Sequence, residues 1–116
     1  MIDIFEKGES VPRTINCVDN AGDALDTADF LTIEVKVFNT LLRTIGTYTL
    51  AAGEVTRPDP TADGDIFFVV PEVTTAAARA LKYYYQLKTT ETDTDYPNNI
   101  RTRHAIGWCF ELRTTV

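Results

Sequence analysis

The sequence predicts an all-β protein, an antiparallel β-sandwich of immunoglobulin-like type with seven to eight strands and one short helix. Three observations predict it. Threonine, valine, isoleucine, tyrosine and phenylalanine are frequent, apolar and polar residues alternate, and turn residues recur roughly every 8–12 positions. Because 116 residues is the length of one domain, residues 1–116 are expected to form a single sandwich.

The clearest predicted strand covers residues 31–39. Its apolar and polar side chains alternate strictly, as in Leu31-Thr32-Ile33-Glu34-Val35-Lys36-Val37. Side chains of a strand point to opposite faces in turn, so this pattern predicts one face packed inward and one face in water. Residues 65–70 form a second strand that is apolar at nearly every position, which indicates a central strand or one covered by a partner.

The C-terminal part predicts a hairpin. Residues 82–88 alternate, and residues 100–113 form one long strand, or two strands separated by a bulge near Gly107. The polar segment 91–99 between them is expected to protrude as the hairpin loop. Under unbroken alternation, the even positions of the long strand share one face: Ile100, Thr102, His104, Ile106, Trp108, Phe110 and Leu112.

Weaker strands are predicted at residues 2–6, 13–18, 44–50 and 54–57. The single helix is predicted at residues 75–81, with Thr74 or Thr75 as its N-cap. Turn-forming residues at 19–22, 51–53 and 59–64 separate these elements. Most of the core is expected from the inward-facing residues of the main strands, namely Ile33, Val35, Ile66, Phe68, Tyr83, Tyr85, Trp108 and Phe110.

The charge and hydropathy of the chain exclude several classes of partner. Eleven basic and seventeen acidic residues give a formal net charge of −6 and a pI of about 4.6. Nucleic-acid phosphates require a basic surface, so we expect no nucleic-acid partner. No apolar run approaches the roughly 20 residues that span a bilayer, and the acidic segment 1–10 lacks the apolar stretch of a signal peptide. We therefore expect no membrane partner and no signal peptide.

Residue types that support catalysis are scarce. Ser10 is the only serine, without a G-x-S-x-G sequence around it, and His104 is the only histidine. A dyad of His104 with Cys109 or Cys17 is the one nucleophilic arrangement left open. Zinc-ligand spacings and nucleotide-binding loops are absent, so we expect no catalytic residue, metal or cofactor. The two cysteines are expected to be reduced and buried, although a bridge between them stays open.

Two groups of aspartates are candidate calcium sites. Several carboxylates suit Ca²⁺, but their order departs from the EF-hand pattern. We favour the interpretation that these side chains cap backbone amides in turns. The groups are Asp19, Asp23, Asp26 and Asp29, and Asp59, Asp63 and Asp65.

Three apolar residues predict a subunit interface. If Ile66, Phe68 and Val70 point inward, Phe67 and Val69 lie on the outer face of their strand. Phe38 has the same outer parity in its own strand, and an exposed apolar patch of this size marks an interface. The alternative is that the short helix or a loop covers these side chains.

The hairpin supplies the other interface candidates. Arg101 and Arg103 follow the loop that contains Tyr96, and they either bind a partner or pair with the loop's own acidic residues. Tyr84 points outward while Tyr83 and Tyr85 point inward, so a sugar-stacking platform on that face would have only one ring.

The order of several motifs resembles a phage protein family. FEKGESVP at 5–12 precedes DNAGDALD at 19–26, the alternating strand at 31–37, GDIFFVVP at 64–71 and YYYQL at 83–87. This order is similar to that of the N-terminal domain of baseplate upper proteins of tailed bacteriophages and of related tail or fibre adaptors. The resemblance spans about residues 5–87.

The resemblance implies a function as well as a fold. It implies a non-enzymatic structural module of a phage or prophage particle, located in the virion, that docks onto other virion proteins and forms a homo-oligomer. A carbohydrate-binding β-sandwich module is the alternative. A small hydrolase that uses Cys109 and His104 is a third, more distant hypothesis.

Overall fold

The computed structural model describes residues 3–58 and 64–114, and these form an all-β fold with two sheets. The strands are β1 (Ile4–Glu6), β2 (Val11–Asn16), β3 (Phe30–Asn39), β4 (Thr44–Thr49), β5 (Val55–Thr56), β6 (Asp65–Val70), β7 (Lys82–Thr92) and β8 (Ile100–Arg113). One short helix, α1 (Glu72–Ala77), and two 3₁₀ turns, Thr27–Asp29 and Pro97–Asn99, complete the described elements. The all-β fold class predicted from the alternation is confirmed.

The two sheets enclose one apolar core. The larger sheet has the order β1-β8-β7-β3-β4, and the smaller has the order β2-β6-β5. Their facing sides supply buried residues that include Val11, Ile15, Ile33, Val35, Val37, Val55, Ile66, Phe68, Val70, Tyr83, Leu87, Phe110 and Leu112. Burial of this apolar surface is the main force that holds the two sheets together.

One strand pair departs from the predicted antiparallel arrangement. β1 runs parallel to β8, with Ile4 opposite Glu111 and Glu6 opposite Arg113. The other described strand pairs are antiparallel. After β1 the chain turns a corner at Gly8 into the smaller sheet instead of folding back as a hairpin. A strand that leaves its sheet in this way need not reverse direction beside its neighbour.

The alternation predicts the buried faces of β3 and β6 correctly, with one exception. Val35 and Val37 are fully buried in β3, as are the even-numbered residues Ile66, Phe68 and Val70 in β6. Leu31 was expected on the buried face of β3, but it is 53% exposed and Phe30 is buried in its place. The pairing register with β7 shifts between Phe30 and Thr32, which reverses the faces at the start of β3.

A bulge in β8 agrees with the alternative that the sequence left open, an interruption near Gly107, and it places the even positions of the strand on two faces rather than one. Tyr83 pairs with Phe110, but Tyr84 pairs with Trp108, so one additional residue, Cys109, interrupts the ladder. Before the bulge, the even-numbered residues of β8 point to the outer face; after it, the even-numbered residues point to the core. Phe110 is therefore fully buried, whereas Trp108 lies on the outer face of the larger sheet. The prediction of Trp108 as a core residue is wrong.

The helix begins earlier than the sequence predicts. α1 starts after Pro71, whose extended backbone forms the N-cap without a side-chain hydrogen bond, and it ends at Ala77 rather than 81. Thr75, one of the two predicted N-cap residues, instead lies within the helix. Its hydroxyl accepts a hydrogen bond from the Gly8 amide (3.1 Å) and donates to the Glu9 carbonyl (2.7 Å). The Thr75 hydroxyl therefore forms hydrogen bonds to the distant Gly8–Glu9 corner instead of capping the helix N-terminus.

The β7–β8 hairpin contains the two longest strands of the described chain, of 11 and 14 residues. Its strands pair from Lys82 opposite Glu111 to Thr92 opposite Ile100, and residues 93–99 form the connecting turn, so the predicted hairpin is confirmed. Asn98 and Asn99 adopt left-handed backbone conformations there, both with φ of 58°, which asparagine tolerates better than most residues. No helix in the described part of the chain is both long and apolar enough to cross a membrane.

Candidate docking surfaces

Three aromatic rings form a row across the outer face of the larger sheet. Cross-strand pairing places Phe38 of β3 beside Tyr84 of β7, and Tyr84 beside Trp108 of β8. The Phe38 and Tyr84 rings are stacked, with centroids 6.0 Å apart and planes at 29°. The Tyr84 and Trp108 rings meet edge to face, with centroids 5.5 Å apart and planes at 85°. We call these three residues the aromatic row.

The aromatic row is partly open to solvent and rigidly supported. All three side chains are half-buried, and each belongs to a strand with a partner on at least one side. Directional contacts between neighbouring rings each contribute about 0.5–1.5 kcal/mol beyond the area that they bury. The rings are therefore held in place before any partner arrives. The sequence predicts only one ring, Tyr84, on this face, because unbroken alternation places Trp108 in the core.

The rest of the described outer face of the larger sheet is mostly polar, but it includes the exposed apolar residues Ile106 and Ile100 of β8. Ile106 is 69% exposed and pairs with Gln86, one step along the strands from the aromatic row. Beyond it, His104 pairs with Lys88, and Thr102 pairs with Thr90. Thr32 and Thr90 join their hydroxyls across β3 and β7 at 2.5 Å. An exposed isoleucine beside the aromatic row extends the apolar part of this face.

A groove opens along the side of the sandwich between β8 and the segment after β2. It encloses about 420 Å³ and is lined from below by the inner face of β7 and β8. Arg103 pairs with buried Thr89, and Ala105 pairs with buried Leu87, so residues at these positions of β8 face the smaller sheet. Arg101 has the same parity as Arg103. The two predicted arginines therefore share one surface with Tyr96, which also lines the groove.

The two arginines have different partners. The Nε of Arg103 donates to Oε1 of Glu91 at 2.5 Å, and both side chains are less than a quarter exposed. The guanidinium of Arg101 lies 5.3 Å from the centroid of the Tyr96 ring. No acidic side chain of residues 3–58 or 64–114 forms an ion pair with Arg101. Pairing with a nearby acid therefore applies to Arg103 and not to Arg101.

Phe67 and Val69 lie on a surface of their own. They point outward from β6 in the smaller sheet, where Val69 is 37% exposed and Phe67 is half-buried. Phe38 belongs to the larger sheet, on the opposite outer face of the sandwich. The outward orientation of Phe67 and Val69 agrees with the prediction. The prediction that they form a single patch with Phe38 is wrong. Parity within a strand says nothing about which sheet the strand joins.

The thiols and the histidine are not arranged as a nucleophile and its base. Both cysteines are free and buried. Burial raises the pKa of Cys17 to about 11 and that of Cys109 to about 12, so both hold their protons at neutral pH. His104 is exposed, with its side chain on the outer face, whereas Cys109 is enclosed in the bulge.

The aspartate turns cap backbone amides. Oδ1 of Asp19 accepts hydrogen bonds from the amides of Ala21 and Asp23, and Oδ1 of Asp26 accepts one from Ala28. Within residues 3–58 and 64–114, no group of three or more histidine, cysteine or acidic residues is placed to hold a metal ion. Of the second predicted group, Asp59 and Asp63 lie outside the described residues.

The sequence was also compared with known proteins. No family model matches it, and no curated protein or solved structure matches it significantly. The resemblance to baseplate upper proteins therefore stays a prediction that depends on the order of the motifs.

Proposed function

We propose that this chain is a non-enzymatic structural module of a phage or prophage particle, a tail, baseplate or fibre adaptor that acts through protein–protein docking. Its partners are other virion proteins and further copies of itself. The observation that carries the docking part of the proposal is the aromatic row, Phe38, Tyr84 and Trp108, together with exposed Ile106. The particle part rests on the order of motifs in the sequence.

The composition of the aromatic row favours a protein partner. Tyrosine and tryptophan are enriched among the residues that dominate interface energies, because a large ring loses little conformational entropy on binding. The rings here are already ordered by contact with one another, so docking would immobilise few additional side chains. The net charge of −6 disfavours a polyphosphate partner and agrees with a protein one.

The state of the cysteines supports the non-enzymatic part of the proposal. A thiol attacks as the thiolate, and the raised pKa values of Cys17 and Cys109 leave little thiolate at neutral pH. His104 lies on the outer face and is not positioned to deprotonate the enclosed Cys109. The third hypothesis, a hydrolase that uses these two residues, therefore lacks the activated nucleophile that it needs.

Analysis of assembled particles tests the proposal. Particles produced from the genome that encodes this chain should contain it in stoichiometric amounts when their proteins are measured by mass spectrometry. Tyr84→Ala and Trp108→Ala should reduce its incorporation at least tenfold without unfolding it, whereas Val73→Ala, at an exposed position of α1 away from the candidate docking surfaces, should not. Complete particles that lack the chain would contradict the proposal, and so would full incorporation of the Tyr84→Ala protein.

A carbohydrate-binding module is the second candidate, and one observation favours it. The face that contains Tyr84 presents three rings rather than one. Against it, the Phe38 and Tyr84 rings turn their faces toward each other, whereas a sugar stacks on a free ring face. Binding of the wild-type chain to defined sugars on a glycan array, lost in Tyr84→Ala, would favour this candidate over protein docking.

A further inference from the structure

Among residues 3–58 and 64–114, no strand pairs with the outward edge of β8 along most of its length. β8 is 14 residues long, but β1 pairs only with Glu111, Leu112 and Arg113. Nη1 of Arg13 then donates to the carbonyl of Cys109 at 3.2 Å. In the described part of the chain, no other backbone segment bonds to this edge between Ile100 and Trp108. Because successive residues of a strand direct their backbone groups to opposite sides, alternate residues of this nine-residue stretch offer their amides and carbonyls to another strand.

This edge has few of the features that block strand pairing. It contains no proline and no lysine. Ile100 is 37% exposed and Ile106 is 69% exposed, so two large apolar side chains flank the open backbone on its outer face. Inward-pointing charges can protect an edge. Here Arg103 is paired with Glu91, and Arg101, which has no ion-pair partner among the described residues, packs against the Tyr96 ring near one end of the stretch. The edge is therefore suited to accept a further strand.

The unpaired segment is complementary to itself. An antiparallel pair related by a two-fold axis matches each residue with the residue at the same distance on the other side of the axis. His104 is the middle of the segment 100–108, and an axis there uses all nine residues. It places Arg101 opposite Gly107 and Arg103 opposite Ala105, so each long cationic side chain faces a small neutral residue. An axis at Arg103 would instead bring the two copies of that arginine face to face.

We propose that two copies of this chain join through antiparallel pairing of their β8 edges, with His104 on the two-fold axis. The pairing joins the two larger sheets into one continuous ten-stranded sheet. On its outer face, Thr102 of each copy lies opposite Ile106 of the other, and Ile100 lies opposite Trp108. The proposed function includes docking between copies of this chain, and this inference, which rests on that part of the proposal, describes how two copies pair.

Cross-linking at the axis tests the register. In the proposed dimer, His104→Cys brings two exposed thiols directly opposite each other, within about 4.5–5.5 Å between Cβ atoms. Mild oxidation should convert most of this variant into a covalent dimer. Lys88→Cys is the matched control, because it lies on the same exposed face one strand further in. Its two copies would be three strand spacings apart, roughly 14 Å, and should not cross-link.

The native cysteines do not interfere with this experiment. Cys17 and Cys109 are buried and have raised pKa values, so they should stay reduced under mild oxidation. Equal cross-linking of the His104→Cys and Lys88→Cys variants would indicate random collision and would overturn the proposed register.

Charge placement provides a second test, by light scattering after size exclusion. The double variant with Thr102→Lys and Ile106→Lys brings two lysines opposite each other at two places in the dimer. The measured mass should therefore fall from that of a dimer, twice 13.0 kDa, to that of a monomer, 13.0 kDa. Thr102→Lys/Ile106→Glu places opposite charges across the same contacts and should restore the dimer. Both positions are exposed and four residues apart on one strand, so the charges do not meet within a monomer.

The outcomes separate this inference from the proposed function. A wild-type chain that is monomeric at high concentration would overturn the edge pairing, and so would a dimer that both charge variants leave unchanged. Incorporation into particles that depends on Tyr84 would then still support docking. Conversely, a dimer with the predicted register in a chain absent from particles would support the edge pairing and contradict the particle function.

Discussion

The ring of Tyr85 lies flat over the backbone of Gly107 on the neighbouring strand. The two residues are cross-strand partners in β7 and β8, and a Cβ atom on residue 107 would lie 2.5 Å from Oη and 2.6 Å from Cζ of the tyrosine. Glycine is favoured here because any larger side chain would force the tyrosine ring to move. Since Tyr85 packs against the core, this contact fixes the middle of the long hairpin to the sandwich.

Substitution of Gly107 tests that contact. Gly107→Ala should lower the free energy of unfolding by about 1–3 kcal/mol, because the ring must move away from its packed position. Urea denaturation measures the change. In a Tyr85→Leu background the same substitution should have a smaller effect, since the ring is gone. Equal effects in both backgrounds would show that the ring does not impose the glycine.

The hydroxyl of Thr75 is expected to stabilise the corner between β1 and β2. Thr75→Val keeps the shape of the side chain but leaves the Gly8 amide and the Glu9 carbonyl without their partner. We expect a loss of about 1–3 kcal/mol in the free energy of unfolding, measured by urea denaturation. Thr75→Ser retains the hydroxyl and should recover at least half of the loss. A Thr75→Val protein as stable as the wild type would refute this role.

The cysteines should be protected from thiol reagents in the folded chain. Burial raises the pKa of Cys17 from 9.0 to about 11, which lowers its thiolate fraction about 100-fold at pH 8, and the surrounding atoms also block access of the reagent. A chromogenic disulfide reagent should therefore label both thiols only after denaturant is added. Rapid labelling of Cys109 in the native state would reopen the hydrolase hypothesis.

The same pKa values predict a loss of stability in alkali. Both thiols hold their protons to higher pH when folded than when unfolded, so the unfolded chain releases protons first. The contribution of the thiols is fully present below about pH 8. It decreases as pH rises from about 9 toward 11 to 12. In a variant with Cys17→Ala and Cys109→Ala, the free energy of unfolding should fall less between pH 8 and about pH 10, as measured by urea denaturation at each pH.

The two ion pairs on β8 should differ in strength. Arg103 and Glu91 are 24% and 19% exposed, whereas Arg113, which pairs with Glu111, is 61% exposed. A double-mutant cycle with glutamine at both positions should give a coupling of about 1–2 kcal/mol for the first pair. The second pair should give less than about 0.5 kcal/mol because water screens it. Equal couplings would indicate that the groove does not shield Arg103.

The sequence by itself determined the fold class and the inward faces of the central strands. In β3 and β6 the alternation assigned Ile33, Val35, Ile66 and Phe68 to the core, and burial agrees. A period of two is a local property of an extended chain, so it needs no knowledge of the neighbouring strands. The same pattern placed Tyr83 inside and Tyr84 outside, as observed.

Only the tertiary structure decided which residues share a surface. The bulge at Cys109 moved Trp108 from the expected core to the outer face and completed the aromatic row. Sheet order separated Phe38 from Phe67 and Val69, and it left the β8 edge open from Ile100 to Trp108. Each of these outcomes depends on pairing between residues far apart in sequence. Such pairing depends on how the whole sandwich packs, and the alternation within one strand does not specify it.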